Sequence, residues 1–272
     1  MKRKVLVAGA RGMAGWAVSN YLNDQGWIVA ALSRSDFDIA RDPFSKFAKL
    51  ADTADAIVNC AGVIKPQMAK MSPEDVLKVN AVFPRNLAKL GEAKNIPVIH
   101  LTTDCVYTGS RGSYSERDYF DATDFYGTSK NSGDITSCMT LRTSIVGEER
   151  GQARSLLEWA RSQAGKTVNG FTNHFWNGVT TLQFAKIVDR IFSNGLYKKG
   201  IFHLHSPDTV TKAQLLKIFS DAYALNLSVQ QVEAAEFCDR SLSSQESLSR
   251  DLCTLTIAEQ VREMREFGLK HP

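Results

Sequence analysis

Tyr126 and Lys130 stand four residues apart in Tyr126-Gly127-Thr128-Ser129-Lys130. On a helix this spacing brings both side chains to one face, where a lysine ammonium can lower a phenol's pKa and fit it for proton transfer. Such pairs also occur on ordinary solvated helices, so the pair takes its meaning from what precedes it. Upstream lies Leu101-Thr102-Thr103-Asp104-Cys105-Val106-Tyr107, which sets hydroxyls just after an expected strand. Ligands and catalytic groups gather at the carboxyl ends of parallel strands. A threonine there can hydrogen-bond a carbonyl oxygen and orient it, although strand-end threonines also serve nearby backbone.

A second constellation is Gly9-Ala10-Arg11-Gly12-Met13-Ala14-Gly15, a G-x-x-G-x-x-G loop that follows a short apolar run and opens a helix. Glycines let the backbone turn tightly and approach a pyrophosphate, which the N–H groups of the helix start then hold. A bare tight turn is the alternative, and the strand-loop-helix setting favours a dinucleotide. At the end of the second expected strand an acid would select NAD by binding the ribose hydroxyls. This chain has Leu32-Ser33-Arg34 there instead, with Arg11 as a second cation. Both arginines can pair with a 2′-phosphate, and no acid is expected to repel it. NADPH is therefore the expected cofactor, with NAD left open.

The elements that position these residues alternate. Short apolar runs at 4–8, 27–32, 56–60, 97–101 and 139–142 read as buried strands. Helix-period stretches lie between them, at 43–51 and 74–94 among others. That order implies a doubly wound parallel sheet of the α/β class. Beyond Gly147 the pattern turns more helical, with helices expected at 153–164, 181–193, 211–223 (capped by Thr211) and 257–267, and an exposed Ser-rich loop at 241–250. The expected organisation is a dinucleotide-binding domain over 1–146 with a returning segment near 172–205, and a smaller substrate-binding lobe from 147–171 and 206–272.

Composition narrows the function classes. The chain has 272 residues, 43% hydrophobic and 23% charged, as a folded soluble protein does. A formal charge of +4 with scattered basic residues suits an anionic small molecule and argues against nucleic acid. The five cysteines, Cys60, Cys105, Cys138, Cys238 and Cys253, contain no C-x-x-C pair, so neither a zinc site nor a disulfide framework is expected. His203 and His205 alternate on an apolar strand and read as structural rather than metal ligands. The basic start is followed by too short an apolar run for a signal peptide, and no stretch is long enough to span a membrane, so the expected location is the cytoplasm.

Taken in order, the motifs resemble the extended short-chain dehydrogenase/reductases, in the dTDP-4-dehydrorhamnose reductase-like branch. The landmarks are the glycine loop at Gly9, Asn59-Cys60-Ala61-Gly62, Val79-Asn80-Ala81, Thr102-Thr103-Asp104, Tyr114-Ser115-Glu116-Arg117-Asp118, the Tyr126 to Lys130 motif, and Leu141-Arg142-Thr143-Ser144. The likeness covers the first two-thirds of the chain and fades afterwards. It implies a catalytic triad of Thr103, Tyr126 and Lys130. It implies cofactor contacts at Gly9, Arg11, Gly12, Met13, Gly15, Ser33 and Arg34, at Asp38 and Ile39 beside the adenine, at Ala61, Gly62 and Val63, and at Tyr126 and Lys130. Substrate contacts would fall to Thr103, Asp104, Arg142, Asn173, Trp176 and Arg240.

The implied activity is reduction by NADPH of the 4-keto group of a nucleotide-linked 4-keto-6-deoxy sugar. Sugar-nucleotide dehydratases of the superfamily carry Thr-Asp-Glu, and Cys105 in the third position disfavours loss of water. Isoleucine and valine at 145 and 146 also replace an aromatic residue frequent in the branch. Two rivals remain: a nucleotide-sugar epimerase that retains NAD, and a non-catalytic NADP-binding regulatory subunit on the same fold. The expected partner is a nucleotide sugar, with no membrane or nucleic acid and with a homodimer left open.

Overall fold

The structure, a computed structural model, describes residues 3–151 and 155–272. Its apolar runs become the strands of a six-stranded sheet: β1 (Lys4–Ala8), β2 (Ile28–Leu32), β3 (Ala56–Asn59), β4 (Val98–Thr103), β5 (Met139–Thr143), and a last strand, Gly200–His203, beside β5. From one edge the order is Gly200–His203, β5, β4, β3, β1, β2, and every pairing is parallel. Parallel strands need crossovers, so both faces are covered and side chains alternate between two cores. Val5, Val7, Ile99 and Leu141 face helix α1 (Met13–Asp24) and helix Thr181–Ser193. Leu6, Ala8 and Ile57 face Phe37, Phe47, Phe83 and Leu87 on the other side.

A third core, around Leu157, Trp176, Leu215, Phe219, Val261 and Met264, belongs to the later chain. There His174–Trp176 pairs with Val210–Thr211 and Cys238–Asp239, and Thr167–Phe171 pairs with Ser228–Val232. Thr211 caps helix Lys212–Tyr223 as expected: its Oγ1 accepts from the Gln214 N–H at 3.2 Å, while Gln214 Oε1 accepts from the Thr211 N–H at 2.7 Å. Among the described residues no helix is long and apolar enough to cross a membrane.

The structure departs from expectation in four places. The stretch at 74–94 is broken into Pro73–Leu77, a π-turn at Lys78–Val82 and a helix at Phe83–Lys94. Pro84 has no N–H to give the Asn80 carbonyl, and the widened turn accommodates that loss. The fourth strand runs on to Thr103, so this hydroxyl sits on the sheet edge itself. The segment 241–250 is an exposed loop only in part: Gln245, Glu246, Ser247 and Arg250 are exposed, and the rest is drawn in. Leu242 is 3% and Ser249 1% exposed, and Leu248–Leu252 is helical. Its serines are drawn inward by backbone partners: Ser249 Oγ donates to the His203 carbonyl at 2.8 Å and accepts from the His205 N–H at 3.0 Å. The helix expected from 153 begins at Leu156 after its cap Ser155, and 152–154 lie outside the described residues.

Behind the site, Arg142 and Asp134 form an ion pair at 2.7 Å with side chains 0% and 1% exposed. Arg142 also donates to Tyr107 Oη at 3.1 Å and lies 2.7 Å from His203 Nε2. Burial first, and then the Arg142 charge, hold the His203 imidazole down at about 4, so the ring is neutral and can accept from the arginine. Removing one partner of a buried pair leaves the other charge uncompensated. Asp134→Ala should therefore cost about 3–5 kcal/mol in urea unfolding, whereas Glu246→Ala, which breaks the exposed pair with Lys198, should cost under about 1 kcal/mol.

Candidate active site

The carboxyl ends of the strands open on one cleft of about 1160 Å³. Register explains why: Ala8 is level with both Leu32 and Asn59, and Thr103 is level with Thr143, so the following loops leave from one edge. The glycine loop starts at Gly9, whose φ of +76° suits glycine, and a Cβ there would meet the Ala61 backbone N at 2.7 Å. Gly15 packs under the carbonyl of Gly9, where a Cβ would overlap it. Trp16 N–H closes onto the Gly12 carbonyl at 2.8 Å, starting α1 with N–H groups toward the cleft. This cradle fits the pyrophosphate of a dinucleotide, and the cleft runs on from it to the residues after β2 and to Thr103 and Tyr126.

The structure brings most of the expected residues together. Gly9, Arg11, Gly12, Met13, Ser33, Arg34, Asp38, Ile39, Ala61, Gly62, Val63, Thr103, Asp104, Tyr126 and Lys130 all line this one cleft, with Gly15 supporting the loop from beneath. Tyr126 and Lys130 lie on helix Phe125–Asn131. Asp124 caps that helix, its Oδ1 accepting from the Gly127 N–H at 2.7 Å. Gly127 allows the helix to pack against the loop after β4, since a Cβ would lie 2.6 Å from the Cys105 carbonyl oxygen. This close approach sets the Tyr126 phenol near Thr103 and Cys105; the Thr103 hydroxyl itself accepts from the Cys105 N–H at 3.1 Å and donates to Asp104 Oδ1 at 3.2 Å. Lys65, paired with Asp124 at 2.8 Å, stands 5.7 Å from the centre of the Tyr126 ring.

The electrostatics differ from the sequence reading at one point. The Tyr126 phenol is shifted upward: burial is the main cause, and the Cys105, Asp104 and Asp124 side chains add to it against the Thr103 hydroxyl. Lys130 exerts no such lowering; its ammonium lies by Gly62 and is acted on by Asp134. Lys130 is 5% exposed, and burial lowers its pKa despite the nearby Asp134 carboxylate. Burial pushes the Cys105 thiol up to about 12, so it is protonated and unfit for acid-base work near neutrality. Asp104 is also raised by burial, with Arg240 opposing.

Two expected substrate contacts fall elsewhere. Arg142 is committed to the buried network described above and does not reach the cleft. Asn173 clamps the chain at Ala234, donating to its carbonyl at 2.8 Å and accepting from its N–H at 2.9 Å. Its side chain is spent on the lobe's own backbone. Arg240 stands beside the site: its Nε donates to the Tyr107 carbonyl at 2.8 Å, and its charge bears on Asp104 and Cys105. Trp176 lines an adjoining recess of about 180 Å³ with Ile64, Ser144, Ile145 and Lys212.

Asn80 and Lys212 were missed as site residues. Asn80, in the π-turn, accepts from the Val63 N–H at 2.8 Å and donates to Ser129 Oγ at 3.1 Å, so it ties the cofactor loop to the Tyr126 helix. Its signal was the Val79-Asn80-Ala81 landmark, combined with Pro84. Lys212 follows a helix cap, which carries no functional signal. Only the fold turns this half-buried lysine toward Asp104 and Cys105. Burial lowers its pKa, and among the described residues its ammonium makes no hydrogen bond or ion pair.

The model of the RmlD substrate binding domain family matches residues 3–266. The chain is 31% identical to a dTDP-4-keto-6-deoxy-D-glucose reductase of Streptomyces niveus over 80% of this chain and 78% of that one. It is 27% identical to the methionine adenosyltransferase 2 subunit beta of Danio rerio, covering 82% and 75%. Among solved structures, the dTDP-4-dehydrorhamnose reductase of Bacillus anthracis in complex with NADP superposes with a TM-score of 0.79 at 18% identity, covering 99% of this chain and 100% of that one.

The cradle geometry yields a test. Gly15→Ala drives a methyl group into the Gly9 carbonyl, so the loop must open. Dinucleotide affinity by fluorescence titration should fall at least about tenfold, whereas Gly165→Ala, which strains a backbone at φ +76° outside the cleft, should lower stability and leave affinity unchanged.

Proposed function

The chain belongs to the RmlD substrate binding domain family, and on that premise we propose that it is an NADPH-dependent reductase of the 4-keto group of a nucleotide-linked 4-keto-6-deoxy sugar. The observation that carries this reading is that Thr103, Tyr126 and Lys130 line the same cleft as the glycine cradle. A bound nicotinamide supplies the hydride. The protein's part is to place the ketone and to manage one proton. Thr103 Oγ1 donates a hydrogen bond to the ketone oxygen, which gains negative charge as its carbon is reduced. Tyr126 Oη gives its proton to that oxygen, and the raised phenol pKa keeps this proton in place at neutral pH. Lys130 holds the nicotinamide ribose, and Asn80 steadies the loop at Val63 that flanks it.

Lys212 and Arg240 approach Asp104 from the smaller lobe. They supply positive charge at the substrate end, which suits the diphosphate of a nucleotide sugar. Arg11 and Arg34 do the same for a 2′-phosphate at the adenosine end. Cys105, protonated and unable to act as a glutamate would, leaves the site without the acid that loss of water needs.

A second reading, a subunit that binds NADP without turning it over, is supported by the likeness to the zebrafish subunit beta. The experiment that separates these readings is a panel of nucleotide 4-keto-6-deoxyhexoses with NADPH, followed by absorbance and product mass. The reductase oxidises one NADPH per product and adds two hydrogens. An epimerase leaves the mass and the net cofactor unchanged, and tight binding without turnover across the panel supports the subunit.

Two variants sharpen the mechanism. Tyr126→Phe should lower kcat at least about a hundredfold with cofactor affinity nearly intact, while Lys130→Met should weaken both. Full activity in the phenylalanine variant would remove Tyr126 from proton transfer. Lys212→Met should raise KM about tenfold with little change in kcat, because its charge meets the substrate away from the reacting carbon.

A further inference from the structure

Beside the cleft lies the recess of about 180 Å³ that Trp176 and Lys212 line, and the proton and hydride chemistry leaves its interior unused. Met13, Ile64, Ser144, Ile145 and Glu149 line both spaces, so the recess opens from the cleft. A pocket for a whole ligand begins at roughly 300 Å³, so this one receives part of a ligand whose remainder lies in the cleft. Register places its mouth. Thr143 is level with Thr103 on the neighbouring strand, about 5 Å away, and Ser144 and Ile145 follow it. Asp104 and Cys105 lie close enough to Lys212 and to Tyr126 to act on both. The recess therefore flanks the reacting centre, and the part it receives belongs to the hexose rather than to the nucleotide.

Its lining is rich in donors. Lys212 Nζ, Trp176 Nε1 and Ser144 Oγ have no hydrogen-bond partner among the described residues. The carboxylate and the second serine of the lining are engaged: Glu149 Oε2 accepts from the Ser155 N–H at 3.0 Å, while Ser155 Oγ donates to the Gly147 carbonyl and accepts from the Glu158 N–H, each at 3.3 Å. The remaining walls, Ile64, Ile145, Val146 and Leu156 among them, are apolar. A sugar hydroxyl leaves those walls uncovered and brings one more donor to a site that already has three. A phosphate or carboxylate group sets its charge against apolar walls and against Glu149. An acyl group meets every demand, since its carbonyl oxygen accepts from two donors and its methyl group covers apolar surface.

We infer that the recess is a specificity subsite for an acylamino substituent: the hexose carries an N-acyl group whose carbonyl oxygen accepts from the Lys212 ammonium and a neighbouring donor, and whose methyl group packs against Ile145 and Leu156. The inference rests on the nucleotide-sugar reading above and narrows its substrate to acylamino 4-keto-6-deoxy sugars. The field of Lys212 and Arg240 still reaches the diphosphate, while the contact that Lys212 itself makes is with the acyl oxygen. A hydrogen bond from a cation is stronger than one between neutral groups. A site built to donate also rejects the analogue that lacks the acceptor.

The test is a calorimetric titration of the protein, with NADP present, against glucose and acetamidodeoxyglucose as matched UDP and dTDP pairs, the acetamido group at C-2 or at C-3. One acetamido form should bind at least about tenfold tighter than its hydroxyl parent. Ser144→Ala and Trp176→Phe, each of which removes one donor, should narrow that ratio at least about twofold, and Lys212→Met should narrow it most. Thermal melting checks that each variant is folded. Equal or weaker binding of every acetamido form overturns the inference, and so does a preference that all three variants leave intact. Turnover of the corresponding 4-keto-6-deoxy pairs with NADPH is read separately. Reduction without any preference in binding removes the subsite and leaves the reductase, whereas a binding preference without NADPH oxidation keeps the subsite and removes the reductase. Binding of no nucleotide sugar at all overturns both.

Discussion

Parallel pairing is the constraint on which the rest of this molecule depends. A parallel strand cannot return by a tight turn, so each of β1 to β5 hands its chain to a crossover, and all five leave from the same sheet edge. The glycine loop, the Ser33 turn, the Ala61 to Val63 loop and Thr103 thereby meet although up to 94 residues separate Gly9 from Thr103. The Cys60 N–H bonded to the Ala8 carbonyl at 3.0 Å fixes this edge where the cradle begins. Most of the site is therefore a consequence of register.

The sheet face beneath Phe125–Asn131 is polar in a way the opposite face is not. Ile99 and Leu141 turn to an apolar core, while His100, Thr102 and Arg142 turn the other way, and His100 is 1% and Arg142 0% exposed. Asn59 stands 3.1 Å from His100 Nδ1, and burial holds that imidazole far below its ordinary pKa. Buried polar groups are tolerable only when they find partners. Arg142 shows how: Asp134, Tyr107 and His203 together satisfy a charge that would otherwise be prohibitive. Lys130 lies close enough to this support for its charge to act on His100 and for Asp134 to act on it.

Charge is laid out along the cleft in two groups, one at each end. Arg11 in the glycine loop and Arg34 after β2 line the cleft, and Lys212 and Arg240 act on Asp104 from the smaller lobe. A field of that sign favours anionic ligands. Thr103 and Tyr126 bring uncharged hydroxyls to the same cleft.

Several features were legible in the residues alone. Short continuous apolar runs, each followed by helix-period stretches, implied the parallel α/β sheet, and the glycine spacing in its strand-loop-helix setting marked the cradle. The spacing of Tyr126 and Lys130 and the threonines after the fourth strand pointed to one region, and the family resemblance joined Thr103, Tyr126 and Lys130 as a triad; the structure brings all three to the cleft. What the sequence could not say was which charged side chains have a free end. Arg142 and Lys212 are both single cations in ordinary surroundings on paper. Only packing determines that one is surrounded by Asp134, Tyr107 and His203 while the other faces a cleft. The same holds for Asn80, whose carbonyl is released by a proline four residues on and whose side chain ties Val63 to Ser129. Helix and strand periodicity are local and survive in a string of letters. The direction of a long polar side chain is settled by partners distant in the chain, so it belongs to the tertiary structure.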